Sequence, residues 1–321
     1  MEPVRRACSA EGLEQRRAVI DVGTNSIKLL VADVVGRDVQ PVHEESRQTR
    51  LGRDFYETHR LQPDAMARTA EAVAEFAKTA RENKAASIRV IGTSAVRDAA
   101  NSGDLTSAIE LASGLIVEII SGGHEAELAF QGVTTDPALA KTPLLLLDVG
   151  GGSTQFILGR GEHKRFAHSF PLGTVRLMEK FPHSDPPMHG EFTACHDWIK
   201  DFLKSEVRPK LESALRRETA GIQLVGTGGT TSILARMESK LERYDRACIE
   251  ATRLGLEQVK AHRKNLWSLP LVERKEIIGL PKLHADVILT GVLIYEAVME
   301  EFGFKQLRVS TRGLRFAAVM D

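Results

Sequence analysis

Short apolar blocks separated by glycine-containing turns set the pattern of this chain. Residues 18 to 34, AVIDVGTNSIKLLVADV, read as an apolar run, a turn and a second β-rich run, which is the pattern of a two-strand hairpin. A short polar strand is expected near residues 41 to 51. From Pro63 to Asn83 the residues Met66, Ala70, Val73 and Ala77 recur on one face, which predicts a helix. A strand over 88–92, a helix over 102–113, a strand over 115–120 and a helix from Glu125 complete the first half. After Asp136-Pro137 the plan restarts. Residues 144 to 158, LLLLDVGGGSTQFIL, again give strand, glycine turn and strand, and a third strand is expected near 166–170. A long amphipathic helix over 190–217 follows, then a strand over 222–225 that runs into GTGGTTSILA and a helix. The rest reads as helical to Phe302, with a last strand over 307–310 and a helix from Gly313.

The same plan therefore occurs twice, each copy opening on strand, acid, glycine turn and strand, although the halves do not match outside these turns. Strands followed by helices in each half give an α/β class. A length of 321 residues favours two domains over one. The expected division is an N-terminal domain over 18–137 and a C-terminal domain over 138–312, with the last helix, 313–321, packing back on the first domain. The seam near 136–142, between Pro137 and Pro143, is the expected hinge. No apolar segment follows the basic residues of 1–17, so they are not read as a signal peptide; the expectation is a leader without regular structure.

Composition narrows the partners. Lys plus Arg and Asp plus Glu balance at 43 each, so bulk charge points to neither nucleic acid nor a membrane surface. Cationic residues must then be concentrated locally if the substrate is a polyanion; Lys28, Arg50, Arg53, Arg97, Arg312 and Arg315 are the candidates. Cys8, Cys195 and Cys248 are scattered and form no CxxC pair, which fits a reducing, cytoplasmic setting. No run of 18 apolar residues occurs. A homodimer is open.

The chemistry lies in five segments. Asp21-Val22-Gly23-Thr24-Asn25-Ser26 and Asp148-Val149-Gly150-Gly151-Gly152-Ser153-Thr154 occupy matching positions in the two halves. Turns of this kind can direct several N–H groups and hydroxyls at one point, a phosphate-binding concavity. Each alone is also readable as a tight hairpin, but three consecutive glycines carry an entropic cost that a plain turn does not require. Gly226-Thr227-Gly228-Gly229-Thr230-Thr231 joins a strand to a helix whose N-terminus could hold an anion, or is only a capped turn. In Gly92-Thr93-Ser94-Ala95-Val96-Arg97-Asp98 the residues Thr93, Ser94 and Arg97 reach one end of a sheet, where Arg can contact phosphate bidentately or sit exposed at a helix start. In Ser121-Gly122-Gly123-His124-Glu125 the serine is an expected cap. Glu125, in the first helical turn, is either a general base or a surface acid favoured by the helix dipole.

These segments, with Gly279-Leu280-Pro281, Ala285 to Leu289, Ser310 and Gly313-Leu314-Arg315, resemble in content and order the exopolyphosphatase and guanosine pentaphosphate phosphohydrolase family across residues 18 to 316. The resemblance implies an actin-like ATPase fold of two ribonuclease-H-like domains with a cleft between them. It implies hydrolysis of a terminal phosphoanhydride bond in inorganic polyphosphate or guanosine pentaphosphate. Glu125 matches the family's catalytic base, Arg97 its phosphate-contacting arginine, and Asp148 its acid beside Mg²⁺. Asp21 is placed near the same cation, and the glycine turns and GTGGTT become the phosphate-binding loops. The resemblance is to a short, two-domain form of the family, whose longer members carry an extra C-terminal helical region.

Three positions depart from that pattern. Gln155 stands where the family has Glu after Ser-Thr, which removes an anionic oxygen near the metal. His284 stands for Arg in the Arg-Ala-Asp motif, and Thr311 for Asp in the tail. They motivate a second reading, a non-catalytic sensor that binds polyphosphate or guanosine pentaphosphate. The paired loops are shared with a third, a sugar-kinase-like or chaperone-like ATPase, to which GTGGTT could contribute an adenosine pocket.

Overall fold

A computed structural model describes residues 15–218 and 221–321. In the first half, β1 (Gln15–Val22), β2 (Ser26–Val35) and β3 (Asp38–Gln48) form an antiparallel meander. Helix α1 (Pro63–Glu82) leads to β4 (Ser87–Gly92), which pairs parallel to β1. A single helical turn, α2 (Ser94–Asp98), and α3 (Ser102–Ser113) precede β5 (Val117–Ile119), which pairs parallel to β4. Then α4 (Gly122–Val133) and α5 (Pro137–Ala140) lead into the second half.

There the meander recurs as β6 (Leu144–Val149), β7 (Thr154–Arg160) and β8 (His163–Phe170). Next come α6 (Thr174–Lys180), α7 (His189–Phe202), a π-helical turn over 203–207 and α8 (Arg208–Arg216). Strand β9 (Gln223–Thr227) pairs parallel to β6 and passes directly into α9 (Gly228–Glu238). Helix α10 (Arg246–Ala251), β10 (Arg253–Gly255), α11 (Leu256–Ser268), α12 (Leu271–Arg274) and α13 (Ile288–Phe302) follow. Finally β11 (Gln306–Val309) pairs parallel to β9, and α14 (Leu314–Ala318) ends the chain.

The sheets read β3-β2-β1-β4-β5 and β10-β11-β9-β6-β7-β8. Without β10 they have one topology, an antiparallel meander whose first strand continues into parallel pairing. The duplication inferred from two turns thus extends to the strand order. Two sequence readings need correction. Residues 15–17 are not leader but the start of β1, where Arg16 meets Asp33 at 2.7 Å; residues 1–14 lie outside the described residues. The tract read as helical contains β10, whose three residues are too few for a periodicity to register.

The core lies in four apolar clusters. One fills the space between the first sheet and α1 and α3, and includes Phe55 and Phe76. A larger one covers the second sheet with α7, α8, α11 and α13, where Tyr295 and Met299 are fully buried. The other two meet at α4. Leu128 joins Leu314, Phe316 and Val319 of the chain end against Val19, Leu30 and Ile91 of the first sheet. Ala126, Ala129, Phe130 and Val133 turn instead to Leu144, Leu146, Ile157 and Val225 of the second sheet. Helix α4 is therefore wedged between both sheets and α14. Burying one such large apolar side chain contributes about 1.5–3 kcal/mol, so the wedge is a major stabilising element.

The tightest point of this wedge is Gly132. A Cβ there would lie 2.0 Å from the carbonyl oxygen of Gly313. Gly132→Ala should lower stability by about 1–3 kcal/mol, an overpacking cost, read as a lower urea midpoint. An unchanged midpoint would show that the chain end does not press on α4 in solution.

Candidate functional site

The turns that open each half come together in one cleft of about 460 Å³. Gly23, Thr24, Asn25 and Ser26 line it from the first half, and Gly150, Gly151, Gly152 and Ser153 from the second. Thr93, Ser94, Gly228, Gly229 and Thr230 also reach it. Each turn is closed the same way: the N–H of Gly23 donates to the Ser26 carbonyl at 3.2 Å, and that of Gly150 to the Ser153 carbonyl at 2.9 Å.

The second turn is held from behind by the start of α6. The N–H groups of Thr174 and Val175 donate to the carbonyls of Gly150 and Gly151 at 3.0 and 2.8 Å, and Arg176 Nε donates to that of Gly152 at 2.9 Å. In a trans peptide the carbonyl and the following N–H point opposite ways. The N–H groups of Gly151, Gly152 and Ser153 are thus directed away from α6.

Glycine is required here by close approach between the halves. A Cβ on Gly152 would lie 2.3 Å from the Tyr56 hydroxyl and 2.4 Å from Ser94 Oγ, and one on Gly151 would meet Thr24 Cβ at 2.8 Å. The Gly152 turn therefore lies directly against the first half.

Two acids stand near the strand ends. Asp21 is the penultimate residue of β1, opposite Lys28, and Asp148 that of β6, opposite Gln155 and Thr227. Burial raises both carboxyl pKa values, that of Asp148 to about 6; Lys28 opposes the shift, and the Asp21 charge adds to that of Asp148. Asp21 Oδ1 is buried and without a hydrogen-bond partner. Gly228, at φ +91°, packs against Asp148; a Cβ would lie 2.7 Å from Asp148 Oδ1.

Glu125 completes the acid set. Ser121 Oγ accepts the His124 N–H at 3.1 Å and starts α4, which places Glu125 in the first turn at the cleft wall. Only 9% of it is exposed, so it is not a surface acid serving the helix dipole. Burial pushes its carboxyl up to about 7; Arg97 opposes this, while Asp148 and Asp21 reinforce it. Arg97 Nη1 donates to Glu125 Oε2 at 3.1 Å and to the Ile120 carbonyl at 3.0 Å.

The Arg97 guanidinium pairs with Glu125 at 3.1 Å and with Asp98 at 3.3 Å. One expected phosphate contact is placed otherwise. Thr154 is fully buried, and its hydroxyl donates to the Leu172 carbonyl, because β7 alternation turns it to the sheet's other face. Of the candidate cations, Lys28 and Arg315 line the cleft, Arg50 pairs with Asp286 at 2.7 Å, and Arg53 and Arg312 are bonded elsewhere, to Asp64 and Thr135. Arg236 lines it too and was not singled out in the sequence, where it reads as one polar position on an amphipathic helix.

The departures also lie in the cleft. Gln155 is buried beside Asp148, its Nε2 donating to Ser153 Oγ and Ser169 Oγ at 3.0 Å each. Burial, with Lys28 adding to it, pushes the His284 imidazole down to about 4, so it is neutral at pH 7 where Arg would be charged. Thr311 Oγ1 donates to Glu250 at 2.5 Å and bonds Arg246.

Among the described residues no cluster of three or more His, Cys, Asp or Glu has metal-binding geometry. Mg²⁺ does not require one, since it keeps several waters and binds through one or two carboxylates. The unpartnered Asp21 oxygen beside Asp148, in a desolvated floor that disfavours two negative charges, fits such a cation.

No helix among the described residues is long and apolar enough to cross a membrane. The sequence pattern of the Ppx/GppA phosphatase family matches residues 30–320. Exopolyphosphatase 2 of Mycobacterium tuberculosis (strain CDC 1551 / Oshkosh) is 35% identical over 319 residues, covering 92% of this chain and 94% of that one. An exopolyphosphatase from Cytophaga hutchinsonii superposes with a TM-score of 0.84 at 28% identity, covering 94% and 96% of the two chains. The Aquifex aeolicus PPX-GPPA enzyme superposes with a TM-score of 0.76 at 29% identity, covering 96% and 99%. The matched turns, the duplicated sheet plan and these likenesses lead to one conclusion: the chain is an enzyme of the Ppx/GppA phosphatase family.

Proposed function

We propose that this chain hydrolyses the terminal phosphoanhydride bond of inorganic polyphosphate in the cleft between its halves. The observation that carries this reading is Glu125. A buried carboxyl raised to about 7 faces the same cleft as two glycine turns and a pair of acids. A base with a pKa near the working pH suits proton abstraction from water. The exopolyphosphatase names of the relatives support the substrate class.

In the proposed mechanism the terminal phosphates lie against the N–H groups of Gly151, Gly152 and Ser153 and the turn at Gly23 to Ser26. Lys28, Arg236 and Arg315 offset the charge of the chain. Mg²⁺ held by Asp21 and Asp148 would supply further charge neutralisation on phosphate oxygens. Glu125 accepts a proton from the attacking water, and Arg97 acts through Glu125 by fixing its carboxylate. Positioning and electrostatics carry most of the effect in such reactions. Guanosine pentaphosphate ends in the same type of bond and is the second substrate to test.

Phosphate release from purified protein with Mg²⁺, on long-chain polyphosphate and on guanosine pentaphosphate, tests the proposal. Release from polyphosphate is expected. Tight binding without release would favour the sensor reading that Gln155, His284 and Thr311 keep open, and transfer to a sugar would favour the kinase reading.

Glu125→Gln should retain substrate affinity and lose roughly 10²–10⁴-fold in turnover. A base works only when deprotonated, so kcat/KM should rise with pH through an apparent pKa at or below about 7, since a bound cation lowers the value that burial raises. The variant should lack that limb. A variant with full turnover and the same limb would remove Glu125 from the base role.

Gln155→Glu should lower the Mg²⁺ concentration giving half-maximal rate. The new carboxylate would stand beside Asp148 on the same face, and hard cations favour anionic oxygens. An unchanged or higher requirement in the Mg²⁺ titration would mean that position 155 serves only Ser153 and Ser169.

A further inference from the structure

Behind the two phosphate turns the halves are joined by polar groups that the proposed mechanism does not use. Glu179, on α6 of the second half, accepts the backbone N–H groups of Phe55 and Tyr56 of the first half at 3.4 and 2.9 Å. One turn earlier, the Arg176 guanidinium lies 4.1 Å from the centre of the Tyr56 ring. The same guanidinium donates to the Gly152 carbonyl at 2.9 Å and stands 3.8 Å from Asp98 Oδ2. Asp98 also accepts from Ser94 Oγ at 3.3 Å, and its other oxygen lies 3.3 Å from Arg97 Nε. Arg97 in turn holds Glu125.

These distances make one continuous path. It starts at the Gly152 turn of the second half, crosses through Arg176 to Asp98 of the first, and ends through Arg97 at the Glu125 carboxylate. Arg176 is the member that crosses between the halves. Its side chain and that of Arg97 are each 23% exposed, so these charged contacts are partly shielded from solvent. A guanidinium that at once bonds a carbonyl, faces a carboxylate and lies over a ring uses its planar fork as a lysine could not.

The geometry points to Arg176 as a positioning residue that couples apposition of the two halves to the orientation of Glu125. With the halves together, Arg176 fixes the Gly152 turn and draws Asp98 into the arrangement that holds Arg97 against Glu125. With the halves apart, Asp98 and Arg97 lose that tie, and the base is no longer set against the water site. Glu179 supports the same apposition from the edge, through backbone N–H groups alone. The inference rests on the hydrolase reading for its rate measurement but not for its structural one.

The experiment compares the full chain with Arg176→Met, Glu179→Ala, Asp98→Asn and the double variant Asp98→Asn/Arg176→Met. Phosphate release from polyphosphate gives kcat and KM, and small-angle X-ray scattering gives the radius of gyration. Arg176→Met keeps an unbranched stem as far as the Nε position, without the charge or the fork. It should lower kcat about ten- to a hundredfold, the scale of a misplaced reacting group, with a smaller change in KM and a larger radius of gyration. The double variant should lose little more than Arg176→Met alone, because residues acting through one path are not additive. Glu179→Ala, remote from the turns, should expand the molecule and lower kcat in the same direction; it decides the matter if Arg176→Met fails to fold. Unchanged kcat and radius in the single variants, or losses that multiply independently in the double variant, would overturn the assignment. If the unsubstituted protein releases no phosphate from polyphosphate, the hydrolase reading falls, while the scattering comparison still decides whether Arg176 and Glu179 hold the halves together.

Discussion

The structure turns on the burial of one short helix between two sheets. Helix α4 gives Leu128 to the first half and Phe130 and Val133 to the second, so it cannot leave either without exposing apolar surface. Its first turn carries Glu125. The packing that joins the halves therefore also removes a carboxylate from water, and desolvation is the largest cause of its raised pKa. Stability and chemistry share a cause here: a looser wedge would hydrate Glu125 and return it toward an ordinary surface acid.

A second constraint follows from the duplicated sheet plan. Each half carries an acid one residue before the end of its first strand and turns through glycine, and joining the halves brings both acids and both turns to one place. Such an arrangement holds uncompensated negative charge in a low-dielectric floor. Lys28, opposite Asp21 and acting on both acids, offsets part of it. The remainder suits a divalent cation. The charge of the site is thus local, which is consistent with an overall balance of acidic and basic residues.

Much of this was legible in the sequence. The turns at Gly23 and Gly150 announced themselves because glycine between an acid and a β-rich run is a local signal, and the resemblance supplied the sheet plan and the chemistry around them. Residues whose roles depend on contacts distant in sequence were not legible. Nothing near Tyr56, Arg176 or Glu179 distinguishes them from ordinary surface residues; only apposition of the halves brings them together. The face taken by Gln155 was ambiguous from alternation alone and was settled by its register opposite Asp148. Thr154 shows the converse: a motif residue among cleft-lining neighbours turns inward because its strand has begun. Arg97 was found by its motif, while its bonds to Glu125 and the Ile120 carbonyl came from the fold, which sets α2 beside the start of α4.

The central claim is that water, activated beside Glu125, attacks the terminal phosphorus of a polyphosphate chain. Isotope placement tests it most directly. Polyphosphate is hydrolysed by the protein in ¹⁸O-labelled water, and the products are resolved by mass spectrometry. The account predicts one solvent oxygen in each released orthophosphate and none in the shortened chain, because the bond that breaks lies between the terminal phosphorus and the bridging oxygen. Unlabelled orthophosphate with label at the new chain end, or phosphate recovered on an acceptor other than water, would contradict it.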